Sequence, residues 1–207
     1  VEIKELIKKQ KVDLVFMGDS ITHMFGGLPR AKVRRGAAVW KKYYGKRNCV
    51  NMGFGWDRIQ NVLYRLQNGA LKGIQPKVVV LLIGTNNLSS TDNAPSNNPE
   101  EISRGIRAIC EKIHTLSPKT KILLQALLPR KYEATHPWRK QINEINSLIK
   151  PLDDKDYITF INFGDQFLNE DKSLRRELMN DTVHPNAKGY AVWAEAIENT
   201  LVQLLDN

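Results

Sequence analysis

The fold is decided by the stretch Phe16-Met17-Gly18-Asp19-Ser20-Ile21-Thr22, which completes and follows an apolar run. That run, residues 12–17, is broken only by Asp13 and is typical of a buried β-strand. We expect Gly18 to give the backbone the freedom for a sharp exit from the strand. Ser20 is then placed at the carboxyl edge of a sheet, where open α/β sheets bind ligands. A serine there is either a helix N-cap or a nucleophile, and this stretch alone leaves both interpretations open.

On both sides of this stretch, apolar runs alternate with segments of helical periodicity along the whole chain. Further strands are predicted at residues 48–52, 77–83, 121–128 and 157–163. Helices are predicted to end near Tyr44 and to begin at Asp57, at Pro99 after an Asn98 cap, at Pro137 and after Asn186. This alternation predicts a parallel sheet with helices on both faces. Because no repeat, linker or boundary interrupts it, we expect a single domain over residues 1–207.

The composition is that of a globular protein, with 42% hydrophobic and 26% charged residues. The longest apolar run, residues 78–83, is far too short to cross a bilayer, so no transmembrane segment is expected. The two cysteines, Cys49 and Cys110, are expected to be buried thiols, and they have no metal-site spacing. The chain begins with Val rather than Met. This leaves open a secreted or periplasmic protein that has lost its signal peptide, as well as a cytoplasmic one.

The net charge of +9 comes almost entirely from one segment, residues 30–47. It contains eight basic residues, and no acidic residue lies between Asp19 and Asp57. Without those eight, the chain's 31 basic residues fall to 23, against 22 acidic ones. The simplest interpretation is a solvated face, and the alternative is attraction of an anionic substrate or surface. Nucleic acid is not an expected partner, because no nucleic-acid-binding motif accompanies the charge.

The loop at residues 180–185 places an acid and an imidazole three residues apart, at Asp181 and His184. Side chains so placed can hydrogen-bond to each other across one turn. The carboxylate would then fix the tautomer of the ring and stabilise the imidazolium that forms when the ring takes a proton from serine. Ser20, His184 and Asp181 are therefore the candidate nucleophile, base and orienting acid.

Loops that follow three of the strands contain Ser20, Gly53 and Asn86, and all such loops emerge at one edge of a parallel sheet. The N–H groups of Ser20 and Gly53 and the side-chain amide of Asn86 are suitable donors to an oxyanion. Gly53 suits a place where the backbone must approach a substrate closely. Asn86 has an alternative role as the cap of a turn.

These residues resemble the four sequence blocks of the SGNH (GDSL-type) hydrolases. The blocks are Gly18-Asp19-Ser20-Ile21, Gly53, Gly84-Thr85-Asn86-Asn87 and Asp181-Thr182-Val183-His184. Residues 51–57, 63–69 and 127–130 are similar to the subgroup of the catalytic subunits of platelet-activating-factor acetylhydrolase. The resemblance implies a three-layer, flavodoxin-like α/β/α fold, ester hydrolysis without metal or cofactor, and the triad and oxyanion roles given above. The polar stretch 89–98 is longer than the subgroup's usual turn, so substrate preference does not carry over directly.

Five further residues are candidates for substrate binding: Trp56, Asp19, His23, Arg130 and His136. Trp56 adjoins Gly53-Phe54-Gly55, His23 lies one helical turn from Ser20, and the other two basic residues sit in a loop expected at the same sheet edge. A surface position is the alternative for His23. Asp57 is most simply interpreted as a helix N-cap. The remaining tryptophans, Trp40, Trp138 and Trp193, are interpreted as packing residues.

The expected activity is removal of a short acyl group, foremost acetyl, through an acyl-serine intermediate. Acetylated carbohydrates are the first expected substrate class, and an acetyl-phospholipid or other lipid ester is the alternative. A binding module that kept the fold without activity is an alternative of another class, and an anion-binding protein built on the basic segment is a third. The expected partner is a small-molecule or saccharide ester. The oligomeric state stays open, with a homodimer as one expected form.

Overall fold

Five parallel strands form the sheet, in a computed structural model that describes residues 2–9 and 11–206. Residues 1, 10 and 207, which the expected domain includes, lie outside the described part. The strands are β1 (Leu14–Gly18), β2 (Cys49–Gly53), β3 (Val78–Leu82), β4 (Lys121–Gln125) and β5 (Ile158–Ile161). Their order is β2-β1-β3-β4-β5, the order of flavodoxin-like doubly wound sheets. The predicted α/β class and the number of strands are confirmed.

Helices cover both faces of the sheet. They are α1 (Glu2–Lys9), α2 (Ser20–His23), α3 (Ala37–Tyr44), α4 (Ile59–Gln67), α5 (Pro99–Leu116), α6 (Pro137–Ile149) and α7 (Ala187–Asp206). Side chains of β1 alternate between two cores: Val15 and Met17 join the buried residues of α4, α5 and α6, whereas Leu14 and Phe16 join those of α3 and α7. This alternation follows from the period of two in a strand. It produces the three-layer arrangement that the sequence predicts.

The start of α5 is confirmed in detail, whereas the predicted cap of α4 is wrong. The Asn98 side chain accepts from the Glu101 N–H at 2.8 Å, and the Glu101 carboxylate accepts from the Asn98 N–H at 3.1 Å. Helix α4, in contrast, is capped by Arg58, whose N–H donates to the Asn61 side chain at 2.9 Å. The predicted cap, Asp57, instead forms an ion pair with Arg65.

The predicted strand at residues 121–128 is too long, because β4 ends at Gln125. Beyond that point the backbone of Leu127 bonds to a side chain rather than to a strand. Its N–H donates to Asn146 Oδ1 at 2.8 Å and its carbonyl accepts from Asn146 Nδ2 at 3.0 Å. Strand β5 is likewise shorter than the predicted range 157–163.

Both cysteines are free, with Cys110 buried and Cys49 half-buried. Among the helices of residues 2–9 and 11–206, none combines the length and the apolar character that crossing a bilayer requires.

Candidate active site

The carboxyl ends of β1, β2 and β3 bring the predicted site residues to one edge of the sheet. Ser20 is the first residue of the short helix α2, directly after β1. Asp19 caps this helix, because its Oδ1 accepts from the Ile21 N–H at 2.9 Å. The buried Tyr190 hydroxyl of α7 donates to the carbonyl of the same residue, Ile21, at 2.7 Å. The residue that follows the serine is therefore fixed at both its N–H and its carbonyl.

Ser20, His184 and Asp181 form one continuous chain of hydrogen bonds. Ser20 Oγ lies 2.9 Å from His184 Nε2, although these residues are 164 positions apart. On the other side of the ring, His184 Nδ1 lies 3.0 Å from Asp181 Oδ2 and 3.2 Å from Oδ1. The spacing places a serine hydroxyl, an imidazole and a carboxylate in the order that proton abstraction from serine requires.

The carboxylate of Asp181 has hydrogen-bond donors on both oxygens. Its Oδ1 accepts from the backbone N–H groups of Val183 at 2.8 Å and His184 at 2.7 Å. Its Oδ2 accepts from Arg35 Nη1 at 3.0 Å. Partial burial raises the pKa of Asp181, but the hydrogen bonds from these N–H groups, the His184 ring and Arg35 outweigh it and lower the pKa to about 2. The carboxylate is therefore ionised at every pH at which histidine can act as a base.

Asn86 lies beside the loop that joins β2 to α4. Its Nδ2 donates to the Asp57 carbonyl at 2.9 Å. A side-chain amide carries two N–H hydrogens, so this bond fixes the orientation of the amide and leaves the second hydrogen for another acceptor. The neighbouring Asn87 is buried and structural: its Oδ1 accepts from the Ile59 N–H at 3.0 Å, at the start of α4.

Gly53, the third predicted oxyanion donor, lies at the end of β2. Its N–H donates to the Asn51 side chain at 2.8 Å, so it already has an acceptor inside the protein. A Cβ at Gly53 would lie 2.5 Å from the His23 backbone nitrogen and 2.7 Å from Thr22 Cβ. Gly53 is thus needed because β2 approaches α2 closely. Gly18 is likewise required by close packing, because a Cβ there would clash with the Leu82 carbonyl. Its φ is not left-handed, so the conformational freedom expected of it is not what requires glycine.

Trp56 lies on the loop between β2 and α4 and has an unusual backbone conformation. The Asp57 N–H donates to the Phe54 carbonyl at 3.2 Å, closing a turn in which Trp56 is the third residue. Its φ of 66° is the left-handed value that glycine normally supplies at this position, and its side chain is 82% exposed. Within the described residues, the N–H of Trp56 has no hydrogen-bond acceptor. The loop therefore presents a free N–H and an exposed indole next to Asn86.

Two of the candidate substrate residues are charged side chains at least partly withdrawn from solvent, with Asp19 buried and Arg130 half-buried. Asp19 is 1% exposed, and burial raises its pKa to about 7, a rise to which Asp57 adds. Arg130 donates to the Thr85 carbonyl at 3.0 Å and lies 4.4 Å from the Trp138 ring, and burial lowers its pKa. The position of Asp19 favours a structural role. Arg130 supports the loop that carries Asn86.

Within the described residues, neither of the two candidate histidines, His23 and His136, is hydrogen-bonded to Ser20. His23 is half-buried with its ring 6.0 Å from that of Phe54, and burial lowers its pKa. His136 caps α6, because its Nδ1 accepts from the Trp138 N–H at 3.2 Å. Of the packing tryptophans, Trp40 and Trp193 are buried, as predicted.

A single guanidinium organises the polar stretch 89–97. Arg58, itself buried, donates to the carbonyls of Ser89 at 3.1 Å and Pro95 at 2.6 Å. It also donates to Asn97 Oδ1 at 2.9 Å, an oxygen that Asn87 Nδ2 approaches equally closely. The stretch is thereby fixed against the two loops that carry Trp56 and Asn86.

Arg35 is the residue of this site that sequence reasoning missed. It belongs to the basic segment 30–47, and its contact with Asp181 joins residues 146 positions apart. No local spacing signals such a pair. Arg47 of the same segment binds Glu198, with Nη1 at 3.2 Å from the carboxylate. The simplest interpretation of the segment, a uniformly solvated face, therefore does not describe Arg35 and Arg47.

Comparison with known proteins gives consistent matches over nearly the whole chain. The sequence model of the GDSL-like Lipase/Acylhydrolase family matches residues 16–192. Human platelet-activating factor acetylhydrolase IB subunit alpha2 is 30% identical over 200 residues, which cover 96% of this chain and 80% of the relative. The rat subunit alpha1 is 29% identical over 199 residues, with coverage of 96% and 78%.

Solved structures share the fold. A GDSL-like lipase from Bacteroides thetaiotaomicron superposes with a TM-score of 0.73 and 24% identity, covering 95% of this chain and 90% of the other. An acetylxylan esterase from Geobacillus stearothermophilus superposes with a TM-score of 0.68 and 17% identity, covering 93% of each chain.

Proposed function

Since the chain belongs to the GDSL-like lipase/acylhydrolase family, we propose that it is a serine esterase that removes short acyl groups, with Ser20 as nucleophile. One observation carries the proposal: the hydrogen-bonded chain from Ser20 through His184 to Asp181, with distances of 2.9 and 3.0 Å. That chain has the order of groups required for a two-step acyl transfer.

In the first step, Ser20 Oγ attacks the ester carbonyl carbon while His184 Nε2 takes the hydroxyl proton. The C–O bond to the alcohol then breaks, and the imidazolium returns the proton to the leaving alkoxide. In the second step, His184 deprotonates a water that attacks the acyl-serine, releasing the carboxylic acid and restoring Ser20. Asp181 stabilises the imidazolium in both steps through Nδ1.

The negative charge on the carbonyl oxygen needs donors that are free in the resting protein. Ser20 N–H, at the start of α2, and the second hydrogen of the Asn86 amide meet this requirement. For the third donor we replace Gly53 by Trp56, because the Gly53 N–H is already bound to Asn51. The left-handed backbone at Trp56 has an energetic cost, and such strain is commonly found at functional sites, which supports this choice.

Acetyl is the proposed acyl group. The sequence relatives are platelet-activating factor acetylhydrolase subunits and the Geobacillus structure is an acetylxylan esterase, so their substrates differ in the alcohol half but share the acetyl group. For the alcohol half we propose a carbohydrate, because an indole that is 82% exposed offers a flat face on which a sugar ring can stack. The polar stretch 89–97 beside it provides no apolar lid.

One observation favours a lipid ester as second candidate. An apolar cavity of about 190 Å³ lies between α1 and α4, lined in part by Met17, Met52, Phe54 and Tyr64. Such a cavity would suit a longer acyl chain or an alkyl group.

Rates on aryl esters of increasing acyl length separate these candidates. We expect acetate esters to be cleaved fastest and octanoate esters far more slowly, because each methylene in a fitted pocket changes discrimination by about 1–3 kcal/mol. The measurement is kcat/KM for acetate, butyrate and octanoate, followed by acetylated oligosaccharides and acetyl-phospholipids. Rates that stay equal or rise with chain length would favour the lipid candidate. No turnover of any ester would indicate a binding module.

The role of the indole is tested by Trp56→Gly, which keeps the N–H and suits the left-handed backbone. We expect KM for acetylated xylo-oligosaccharides to rise roughly fivefold, while kcat on a small aryl acetate stays near wild type. The matched control is Leu148→Ala, which removes another exposed apolar side chain, on α6, away from the cavity between α1 and α4. An unchanged KM in Trp56→Gly would remove the argument for a sugar platform.

A further inference from the structure

Arg35 extends the Ser20–His184–Asp181 chain by a fourth group. Its Nη1 lies 3.0 Å from Asp181 Oδ2, the same oxygen that lies 3.0 Å from His184 Nδ1. The Arg35 side chain is only 24% exposed. A guanidinium on this oxygen restrains rotation of the carboxylate about its χ angles, and so fixes the oxygen that faces the ring.

The backbone around Arg35 is tied to the elements that carry Ser20. The next residue, Gly36, donates its N–H to the Met24 carbonyl at 3.3 Å, directly after α2. A Cβ at Gly36 would lie 2.6 Å from the Tyr190 ring, so the backbone rests against α7 as well. Tyr190 in turn holds the Ile21 carbonyl. Arg35 therefore projects from a position that is fixed relative to the nucleophile.

The loop that carries Asp181 and His184 needs such a support, because residues 180–185 contain no helix or strand. An isolated bridge pairs Met179 with Pro185 at its base. On one side, the Lys131 N–H donates to the Thr182 carbonyl at 3.0 Å. On the other side, Arg35 binds Asp181. The two contacts tie adjacent residues of the loop, Asp181 and Thr182, to two different segments of the chain.

We propose that Arg35 is a positioning residue of the esterase, which docks the loop of residues 180–185 onto the nucleophile side and orients Asp181 toward His184. The inference rests on the proposed function. It assigns two effects to Arg35. Its hydrogen bond aligns the carboxylate, which favours turnover, and its positive charge offsets part of the carboxylate charge, which disfavours the imidazolium.

Other charged and titratable groups around the His184–Asp181 pair come from separate elements. Asp19, at the start of α2, interacts electrostatically with Arg130. Arg130, which follows β4, also interacts with Asp181. Tyr190, on α7, interacts with Arg35, Asp19 and Asp181. Arg35 also acts electrostatically on Tyr190, but burial raises the pKa of that hydroxyl, so Tyr190 stays protonated over the acidic limb. Burial raises the pKa of Asp19 to about 7, within the range of the limb, so a shift of the limb is assigned to His184 only when the His184 resonance also changes.

The experiment compares the pH dependence of kcat/KM on an aryl acetate for wild type, Arg35→Gln and Arg35→Lys. For Arg35→Gln we expect the plateau to fall by about 10-fold or more, through loss of alignment. We also expect the acidic limb to move up by roughly 0.5–1 pH unit, because loss of the positive charge favours the protonated ring. Arg35→Lys keeps the charge and should leave the limb in place. Arg47→Gln is the matched control, since it removes a charge from the same segment but from the pair with Glu198.

A second readout is independent of turnover. The low-field proton resonance of the His184 Nδ1–H reports the bond to Asp181, and we expect Arg35→Gln to broaden or move it. If Arg35→Gln is too unstable, the same comparison is made between Arg35→Lys and wild type, where reduced turnover with an unmoved limb supports alignment. A wild-type plateau, limb and resonance in folded Arg35→Gln would overturn the proposal. Activity that persists in Ser20→Ala would instead overturn the proposed function.

Discussion

Ser20→Ala is expected to lower kcat by about 10⁶-fold, to the level left by binding and oxyanion donors alone. The reason is that the variant removes the atom that forms the covalent intermediate, and His184 and Asp181 have no other hydroxyl in reach within the described site. The measurement is steady-state hydrolysis of an aryl acetate, with labelling by a fluorophosphonate probe and peptide mapping of the adduct.

The variant should fold normally, because among the described contacts the Ser20 hydroxyl loses one hydrogen bond, to His184 Nε2. An unchanged unfolding midpoint therefore separates loss of chemistry from loss of structure. Ser103→Ala, which removes an exposed hydroxyl bound to the Glu100 carbonyl, is the control and should keep full activity. A single adduct on Ser20 is expected in the wild type. Labelling or turnover that survives in Ser20→Ala would rule out this serine as the nucleophile.

Asn86→Ala is expected to lower kcat by about 10²–10³-fold with a much smaller change in KM. A donor aimed at charge that develops only in the transition state contributes to the rate rather than to substrate binding. Asn86→Asp should be at least as damaging, because a carboxylate repels the oxyanion. Both kinetic constants and the unfolding midpoint are measured for each variant.

Asn87→Ala provides the matched control, because it changes the same residue type one position along. Asn87 is buried and bonds to Ile59, Gln60 and Asn97, so its loss should lower the unfolding midpoint while the folded fraction keeps near-normal kcat. Near-wild-type kcat in folded Asn86→Ala would assign Asn86 to a turn instead.

A phosphonate adduct on Ser20 tests the other oxyanion donor directly. In a crystal structure of that adduct, we expect the phosphonyl oxygen to lie within hydrogen-bond distance of the Asn86 amide and the Trp56 N–H. An oxygen bound to the Gly53 N–H, with the Asn51 side chain displaced, would restore the original assignment to Gly53.

The fold is predictable here because the pattern that encodes it is local. Uninterrupted apolar residues in β3 and alternating helical faces are set by spacing within a few residues. The ends of elements are set by distant partners, which explains the errors. The Asn146 side chain hydrogen-bonds to the Leu127 backbone, so β4 ends before that residue. Arg65 forms an ion pair with the carboxylate of Asp57, the residue predicted to cap α4.

The same distinction holds for the site. Asp181 and His184 are three residues apart, so their bond can be anticipated from sequence, and the strand-end positions of Ser20 and Asn86 follow from sheet topology. Glycine is required at position 53 because a Cβ there would clash with His23 and Thr22, and the sequence alone does not show whether a substrate or another helix is the close neighbour. The role of Arg35 depends on a tertiary contact, and the backbone role of Trp56 depends on its φ angle; no sequence spacing gives a signal for either.

The anchoring of residues 89–97 by Arg58 has a consequence for how this scaffold can diversify. Most of its contacts to the stretch are to main-chain carbonyls, which every amino acid provides. Apart from Asn97, whose Oδ1 is one of the acceptors, the side chains of the stretch are therefore free to vary without loosening the anchor. Such an arrangement uncouples selection for a new substrate from selection for the chemistry, and makes this stretch the natural segment to exchange in engineering.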